Sequence, residues 1–258
     1  MEKSGIYLTG GFQENVGESK GLFKLNLEDF TLAPLSKMRE KRNYVSLASN
    51  DGFIYCLGGH TGTERLRTAE RYDIDNNQWY DCPSMREARS DAGAAALNGK
   101  IYIVGGFDGH RQHSSVEVFD PEADTWTFGK PMSKKRSGVK ATVMNGKLYV
   151  VGGWSGGTRR LSCGEVYDPH TDKWTPLPEM NVPRSNYSLF VADGQLVVAG
   201  GYDGSGLTQT TEILNERKKK WVFGRNMMDA RSASAAVSIS KEMISPEVLK
   251  SLNDLCNN

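Results

Sequence analysis

Asn98-Gly99-Lys100-Ile101-Tyr102-Ile103-Val104-Gly105-Gly106-Phe107 decides the fold of this 258-residue chain. Asn-Gly is the strongest short-range signal for a two-residue hairpin. The β-branched and aromatic run Ile101–Val104 then reads as a strand, and two glycines end it. The same ending recurs. Short apolar runs close on Gly10-Gly11, Gly58-Gly59, Gly105-Gly106, Gly152-Gly153 and Gly200-Gly201, at steps of 48, 47, 47 and 48 residues. Self-similarity at one fixed period is the sequence signature of a repeat architecture.

Other positions keep the register. Leu25-Asn26, Tyr72-Asp73, Phe119-Asp120, Tyr167-Asp168 and Leu214-Asn215 correspond. Trp79, Trp126, Trp174 and Trp221 correspond, with Leu32 in the first repeat. So do Met38, Met85, Met132, Met180 and Met227, and then Arg42, Arg89, Arg136, Arg184 and Arg231. Each repeat predicts four short strands. In the third they fall near Ala92–Leu97, at Ile101–Val104, at Val116–Phe119 and around Trp126. Asp51-Gly52, Asn145-Gly146 and Asp193-Gly194 supply equivalent tight turns. Before residue 244 no helical period runs over ten residues.

This pattern resembles the kelch motif over about residues 5–240. A WD40 reading fits less well, because none of the tryptophans is followed by Asp. The resemblance implies an all-β fold, a β-propeller of five four-stranded blades packed radially around a channel. One sheet cannot cover both its faces, but stacked blades cover one another, with the fourth-strand Trp and third-strand aromatic filling the gaps. Each such Trp buries roughly 150–200 Å².

The first repeat begins at its second strand, Ile6–Thr9. The last is followed by one extra first-type strand, Ser234–Ser240, expected to complete the first blade and hide two sheet edges. Six blades are usual in the family. Either this is a true five-bladed ring, on which the strand count closes without remainder, or one repeat is missing. The propeller is therefore assigned to residues 4–240. Residues 241–258 form a tail with a short helix, capped at Ser245-Pro246-Glu247 and carrying Val248, Leu249, Leu252 and Leu255 at helical spacing.

Composition narrows the function classes. Lys plus Arg is 32 against 31 Asp plus Glu, so nothing global points to nucleic acid or an anionic membrane. No apolar run nears the roughly 20 residues of a membrane helix, and the N-terminus has no secretory signal. Cys56, Cys82, Cys163 and Cys256 form no paired motif, which predicts reduced thiols and a cytoplasmic protein.

In a four-stranded meander the second-to-third-strand loops (bc loops) share one face with the links between blades. These loops are long and differ from one another, while the other face carries tight, regular turns. Binding is expected where the repeats disagree. Phe12, His60, Phe107, Trp154 and Tyr202 follow the Gly-Gly pairs and should ring the channel mouth. Behind each repeated Arg, the links bring Asn43-Tyr44, Ser90-Asp91, Ser137-Gly138, Ser185-Asn186 and Ser232-Ala233. The bc loops add Arg65, Arg67, His110, Arg111, His113, Arg159 and Arg160. Partner-binding residues are thus expected at Tyr44, His60, Arg65, Arg67, Ser90, Phe107, His110, Arg111, Ser137, Trp154, Arg159, Arg160, Ser185, Asn186 and Tyr202. Aromatics, Arg and Ser around a concave mouth suit a peptide, and the Arg excess favours an acidic one. The five repeated arginines read as structural. His110 and His113 read as solvated loop, with no third metal ligand spaced beside them. Cys163 and Lys218-Lys219-Lys220 read as an ordinary strand edge and a solvated turn.

The chain further resembles the C-terminal propeller of the BTB–kelch proteins. That resemblance implies capture of a protein substrate for a cullin-3 ubiquitin ligase, recruited through a BTB domain that these 258 residues do not contain. Other kelch proteins bind actin or scaffold the cytoskeleton. A few kelch propellers are enzymes, such as epimerases or copper oxidases, but four histidines, most of them in irregular loops, offer no copper ligand set. No cofactor, metal or catalytic residue is expected.

Overall fold

Two residues in left-handed conformation at each first turn set the strands' pairing. Asp51-Gly52, Asn98-Gly99, Asn145-Gly146 and Asp193-Gly194 all have positive φ, the type I′ geometry that matches strand twist. The computed structural model describes residues 5–13 and 17–238. Blade 1 contains β1 (Ile6–Thr9), the small hairpin β2 (Phe12–Gln13) and β3 (Gly17–Glu18), then β4 (Leu22–Leu25) and β5 (Leu32–Pro34). Blade 2 is β6 (Ser46–Asn50), β7 (Phe53–Leu57), β8 (Ala69–Asp73) and β9 (Gln78–Cys82). Blade 3 is β10 (Gly93–Leu97), β11 (Lys100–Val104), β12 (Val116–Asp120) and β13 (Thr125–Phe128). Blade 4 is β14 (Lys140–Met144), β15 (Lys147–Val151), β16 (Gly164–Asp168) and β17 (Lys173–Leu177). Blade 5 is β18 (Ser188–Ala192), β19 (Gln195–Ala199), β20 (Thr211–Asn215) and β21 (Lys220–Phe223). Every sheet is an antiparallel meander, so the five-bladed, all-β propeller expected from the period is what the chain forms.

Blades are fastened to one another by two repeated devices. The first is the arginine. Arg42, Arg89, Arg136 and Arg184 are each 0% exposed. Each is stapled through its backbone to its own blade and sends its guanidinium into the next. Arg89 accepts a hydrogen bond from Gly59 N in blade 2 (2.7 Å). Its Nη1 donates to Gly105 O (2.6 Å) and its Nη2 to Glu117 Oε1 (3.1 Å), both in blade 3. The equivalent carboxylates are Glu70, Glu165 and Glu212, at 3.0, 2.9 and 2.7 Å from their arginines. Each carboxylate also accepts a backbone N–H from the preceding blade's link, as Glu117 does from Arg86 (2.7 Å). Buried charge is tolerated only when paired and hydrogen-bonded; all four arginines are paired, and only Arg136 leaves a donor, its Nε, unsatisfied. The Gly-Gly step makes room for them: a Cβ on Gly58 would collide with the carbonyl of Arg89.

The second device is the fourth-strand Trp. Its indole N–H donates to a carbonyl of the preceding blade's link: Trp79 to Ser36 (2.7 Å), Trp126 to Pro83 (2.8 Å), Trp174 to Lys130 (2.8 Å) and Trp221 to Pro178 (3.0 Å). Trp79, Trp126 and Trp221 are buried, and Trp174 is half-buried.

Two expectations need correction. Among the described residues, the first sheet has three strands and β1 pairs only with β4. Ser234–Ser238 carry no strand. That stretch therefore does not complete blade 1; residues 239 and 240, and the expected tail helix, lie outside the described residues. Arg231 is also not like the other four. Its backbone is stapled to blade 5 by the same bonds, Gly201 N to its carbonyl (2.8 Å) and its N to Thr208 O (3.4 Å). Its side chain is 53% exposed and rests on Asp229 of its own link. In blade 1, Phe23 stands in the register position of the four glutamates, so that blade offers no carboxylate there.

Replacing one partner of a lock strands the other charge in the interior. Arg89→Met is expected to lower unfolding free energy in urea by about 3–5 kcal/mol, and adding Glu117→Leu to recover most of it. Equal loss in the double variant would mean that packing, not charge pairing, holds the interface.

Candidate functional site

The links and bc loops meet at one end of the channel. Short β-bridges join the two sets of residues singled out in the sequence: Asn43 to His60, Ser90 to Phe107, Ser137 to Trp154 and Ser185 to Tyr202. Further bridges tie His60 to Arg65, Phe107 to Gln112, Trp154 to Arg160 and Tyr202 to Leu207. Each mouth residue is thus held on both sides by backbone. The side chain of Phe12 lies outside the described residues.

A second constraint runs around the mouth. The residue two after each Arg is left-handed: Tyr44, Asp91, Gly138, Asn186 and Ala233 have φ of 49–58°. Asn, Asp and Gly take this conformation readily, whereas Tyr and Ala are strained in it. It lets successive links bond directly. Asp91 N donates to Tyr44 O (3.0 Å), Val139 N to Asp91 O (3.3 Å), Asn186 N to Gly138 O (2.8 Å) and Ala233 N to Asn186 O (2.7 Å).

Arginines lie over the aromatic residues. The guanidinium of Arg160 sits 5.4 Å from the Trp154 ring centroid and 4.9 Å from that of Tyr202, and its Nε donates to Ser185 Oγ (2.9 Å). Arg65 lies 5.5 Å from the Phe107 centroid, and Phe107 and Trp154 are themselves 6.4 Å apart in a tilted pair. Among the described residues no carboxylate lies within salt-bridge distance of Arg65 or Arg160. Stacking of this kind costs the guanidinium rotamer freedom before any ligand arrives.

Of the expected residues, Tyr44, His60, Arg65, Phe107, Trp154, Arg160, Asn186 and Tyr202 share this mouth. Ser90, Ser137 and Ser185 are there but buried, and two of them orient neighbours: Ser90 Oγ donates to Asp91 Oδ2 (2.7 Å) and Ser185 holds Arg160. Arg67, His110 and Arg159 are exposed on loop flanks. Arg111 is 70% exposed and lies 3.6 Å from Asp108 and 3.7 Å from Glu87, so part of its charge is answered locally.

His113 is not solvated, as its loop position suggested. It is 4% exposed, with Nδ1 3.5 Å from Glu87 and Nε2 3.4 Å from Asp108. Burial lowers its pKa, aided by Arg89, and outweighs the two carboxylates. The His60 pKa is also lowered, first by burial and then by Arg65.

Sequence reasoning missed the channel throat. Burial raises the pKa of Asp91, while Ser90, Arg65, Lys140 and His60 oppose the shift. Burial also lowers that of Lys140, opposed by Asp91. The available signal was Lys140 itself, a charge in β14 where the other blades carry Ser46, Gly93 and Ser188. Among the described residues no cluster of three metal-ligating side chains occurs, and no helix is long and apolar enough to cross a membrane.

Comparison with known proteins settles the family. Residues 1–153 match the family model "KLHDC2/KLHL20/DRC7 Kelch-repeats domain", and residues 135–181 and 183–228 match "Kelch motif". The chain belongs to the kelch-repeat family. Its propeller is therefore of the kind that generally binds proteins and is typically non-catalytic. It is 33% identical over 78 residues to "Kelch repeat and BTB domain-containing protein 2" of Ectromelia virus (strain Moscow), a match covering 30% of this chain and 14% of that protein. It is 30% identical over 79 residues to "F-box/kelch-repeat protein At2g29600" of Arabidopsis thaliana, covering 31% of this chain and 19% of that protein. The matched regions thus span less than a fifth of those relatives. Among solved structures, "Structure of YjhT" superposes with a TM-score of 0.79 at 15% identity, over 92% of this chain and 85% of the other, a likeness of fold alone.

Histidines kept neutral in the fold are protonated first in the unfolded chain. Their contribution is fully present above the ordinary His pKa of about 6.5 and is lost as pH falls through it. The Tm is expected to drop between pH 7.5 and 5.5, and His113→Gln to flatten that drop. Asp91, shifted upward, acts in the opposite sense at the acid end. An unchanged slope in the variant would remove His113 as the source.

Proposed function

We propose that this chain is a non-catalytic protein-interaction domain that holds an extended, acidic peptide across the bc-loop mouth. The observation that carries the reading is Arg160, stacked between Trp154 and Tyr202 with its Nε on Ser185. That arrangement leaves the outer edge of the guanidinium for a carboxylate, the bidentate partner its geometry fits. Arg65 over Phe107 repeats the device two blades away. Rigid aromatics and arginines in a partly desolvated centre are what interface hot spots consist of. Asp91 in the throat opposes acid entering the channel, so the peptide's acidic side chains belong at the rim and its backbone over the throat.

In this reading the domain selects substrates for a cullin-3 ubiquitin ligase, in the manner implied by the BTB–kelch resemblance, with the ligase recruited through a BTB domain. The cytoplasm is the compartment in which Cys56, Cys82 and Cys163, all free thiols, stay reduced.

The test is selection of peptides from a displayed random library on the immobilised protein. Acidic sequences should be enriched. Arg160→Glu, combined with Arg111→Glu, should cut their capture at least tenfold, as expected for removing one side of a desolvated charge pair, while leaving Tm within about 2 °C. Selected peptides without acidic residues, or capture indifferent to both reversals, would sink the acidic-peptide reading.

A further inference from the structure

The outer rim of one blade boundary differs from that of the other three. At those three, the residue after the repeated Met reaches across to the next blade's outer strand. Arg39 pairs with Asp81, Arg86 lies 5.9 Å from the Phe128 ring centroid, and Asn181 Nδ2 donates to Trp221 O (3.2 Å). Between blades 3 and 4 this position is Ser133. Three residues before the Met, Leu35, Cys82 and Leu177 pack in the same apolar clusters as Trp79, Trp126 and Trp221. Between blades 3 and 4 that position is Gly129. The serine is too short to span and the glycine has no side chain to pack, so this boundary opens into a cleft of about 670 Å³. Trp174 is half-buried beside it, whereas its three counterparts are buried.

The cleft is lined by Trp174 and by the rings of Pro131 and Pro176. The indole N–H is already given to Lys130 O (2.8 Å), so what Trp174 has left to offer is its ring face. The two carboxylates of the lining are engaged. Glu165 accepts from Arg136 Nη2 and from Ser133 N, both at 2.9 Å. Asp172 accepts from the Tyr167 hydroxyl (2.9 Å) and lies 3.6 Å from Lys130 Nζ. Lys173, also in the lining, has no acidic partner among the described residues. The same link carries Lys134 where two other links carry Glu40 and Glu87. A flat apolar lining is thus combined with a surplus of amines. A cation stacked on the indole would be repelled by those amines, whereas an anion beside it is attracted.

We infer that this cleft is a second docking site, on the outer rim and apart from the mouth, for a partner-protein segment in which an aromatic residue is flanked by carboxylates. The aromatic ring stacks on Trp174 beside the two prolines, and the carboxylates meet Lys173 and Lys130. Offset stacking on the indole sets the orientation. The exposed amines add a modest attraction and select against basic segments. The site stands independently of what the mouth binds.

The probe is the tripeptide Glu-Phe-Glu, capped at both ends and read by the indole N–H resonances of the isotope-labelled protein. Trp174→Phe identifies the signal of Trp174. At millimolar peptide that signal should shift and saturate. Glu-Ala-Glu should leave it in place. Gln-Phe-Gln as the peptide, or Lys173→Glu in the protein, should each weaken binding about fivefold, the effect of losing or reversing exposed charge pairs. Ser133→Arg, which supplies the side chain present at two other boundaries, should abolish binding without lowering Tm. A Trp174 signal that stays in place, or shifts indifferently to these changes, overturns the inference. So does a shift confined to Trp154, which would put the tripeptide in the mouth. So does self-association of the protein alone in sedimentation that Ser133→Arg removes, which would make the occupant a second copy. Arg160→Glu should leave the Trp174 shift unchanged, so failure of the cleft and failure of the peptide mouth read out separately.

Discussion

The interaction on which the rest depends is a guanidinium buried across each blade boundary. A four-stranded sheet has two apolar faces and no way to cover both. Covering one with the next blade solves that, but the packing surfaces are nearly interchangeable from repeat to repeat. Apolar burial alone would leave the stagger of one blade on the next poorly defined. The buried Arg–Glu pair defines it, because a slip of even one residue leaves two charges unpaired in the interior, at several kcal/mol each. Gly-Gly is subordinate to that pair: it ends the second strand and clears the space the Arg link needs.

The same links position the mouth. Because each Arg is fixed, the residue following it meets the next bc loop at a set distance, and the left-handed step after that turns the chain from link to link. The aromatic residues and arginines therefore sit on a frame made of main-chain bonds. Differences among blades reach the ligand-facing surface without disturbing the frame, and side-chain identity at the mouth is free to vary.

Most of the scaffold was legible in the sequence because it recurs. Five Gly-Gly pairs and four tryptophans in one register gave the blades and strand ends to within a residue or two, and identified which face carries the irregular loops. The parts that were not legible depend on what a residue meets, not on where it falls. Arg231 shares the register and backbone bonds of the other four arginines, yet its side chain lies exposed on Asp229, and blade 1 carries Phe23 where the other blades carry the glutamates. His113 lies in a loop that reads as solvated, yet Glu87 and Asp108, 26 and 5 residues away in sequence, close over it. Asp91 and Lys140 were visible as residues, but that these two half-buried charges from different blades act on one another was not. The link serines were rightly placed and wrongly employed, since burial turns them inward to Asp91 and Arg160.

The locks also have a direction. Each Arg belongs to the blade made earlier and each Glu to the blade made later, 28 residues on from Arg42 to Glu70 and from Arg89 to Glu117. During synthesis every blade therefore leaves the ribosome with its cation exposed, and becomes secured only when the third strand of its successor has emerged. At the roughly 5–20 residues per second of translation, that wait is a few seconds per blade. The order of assembly is written into the order of the charges: the chain closes behind itself, one boundary at a time, and its most recently made blade is always the one still open.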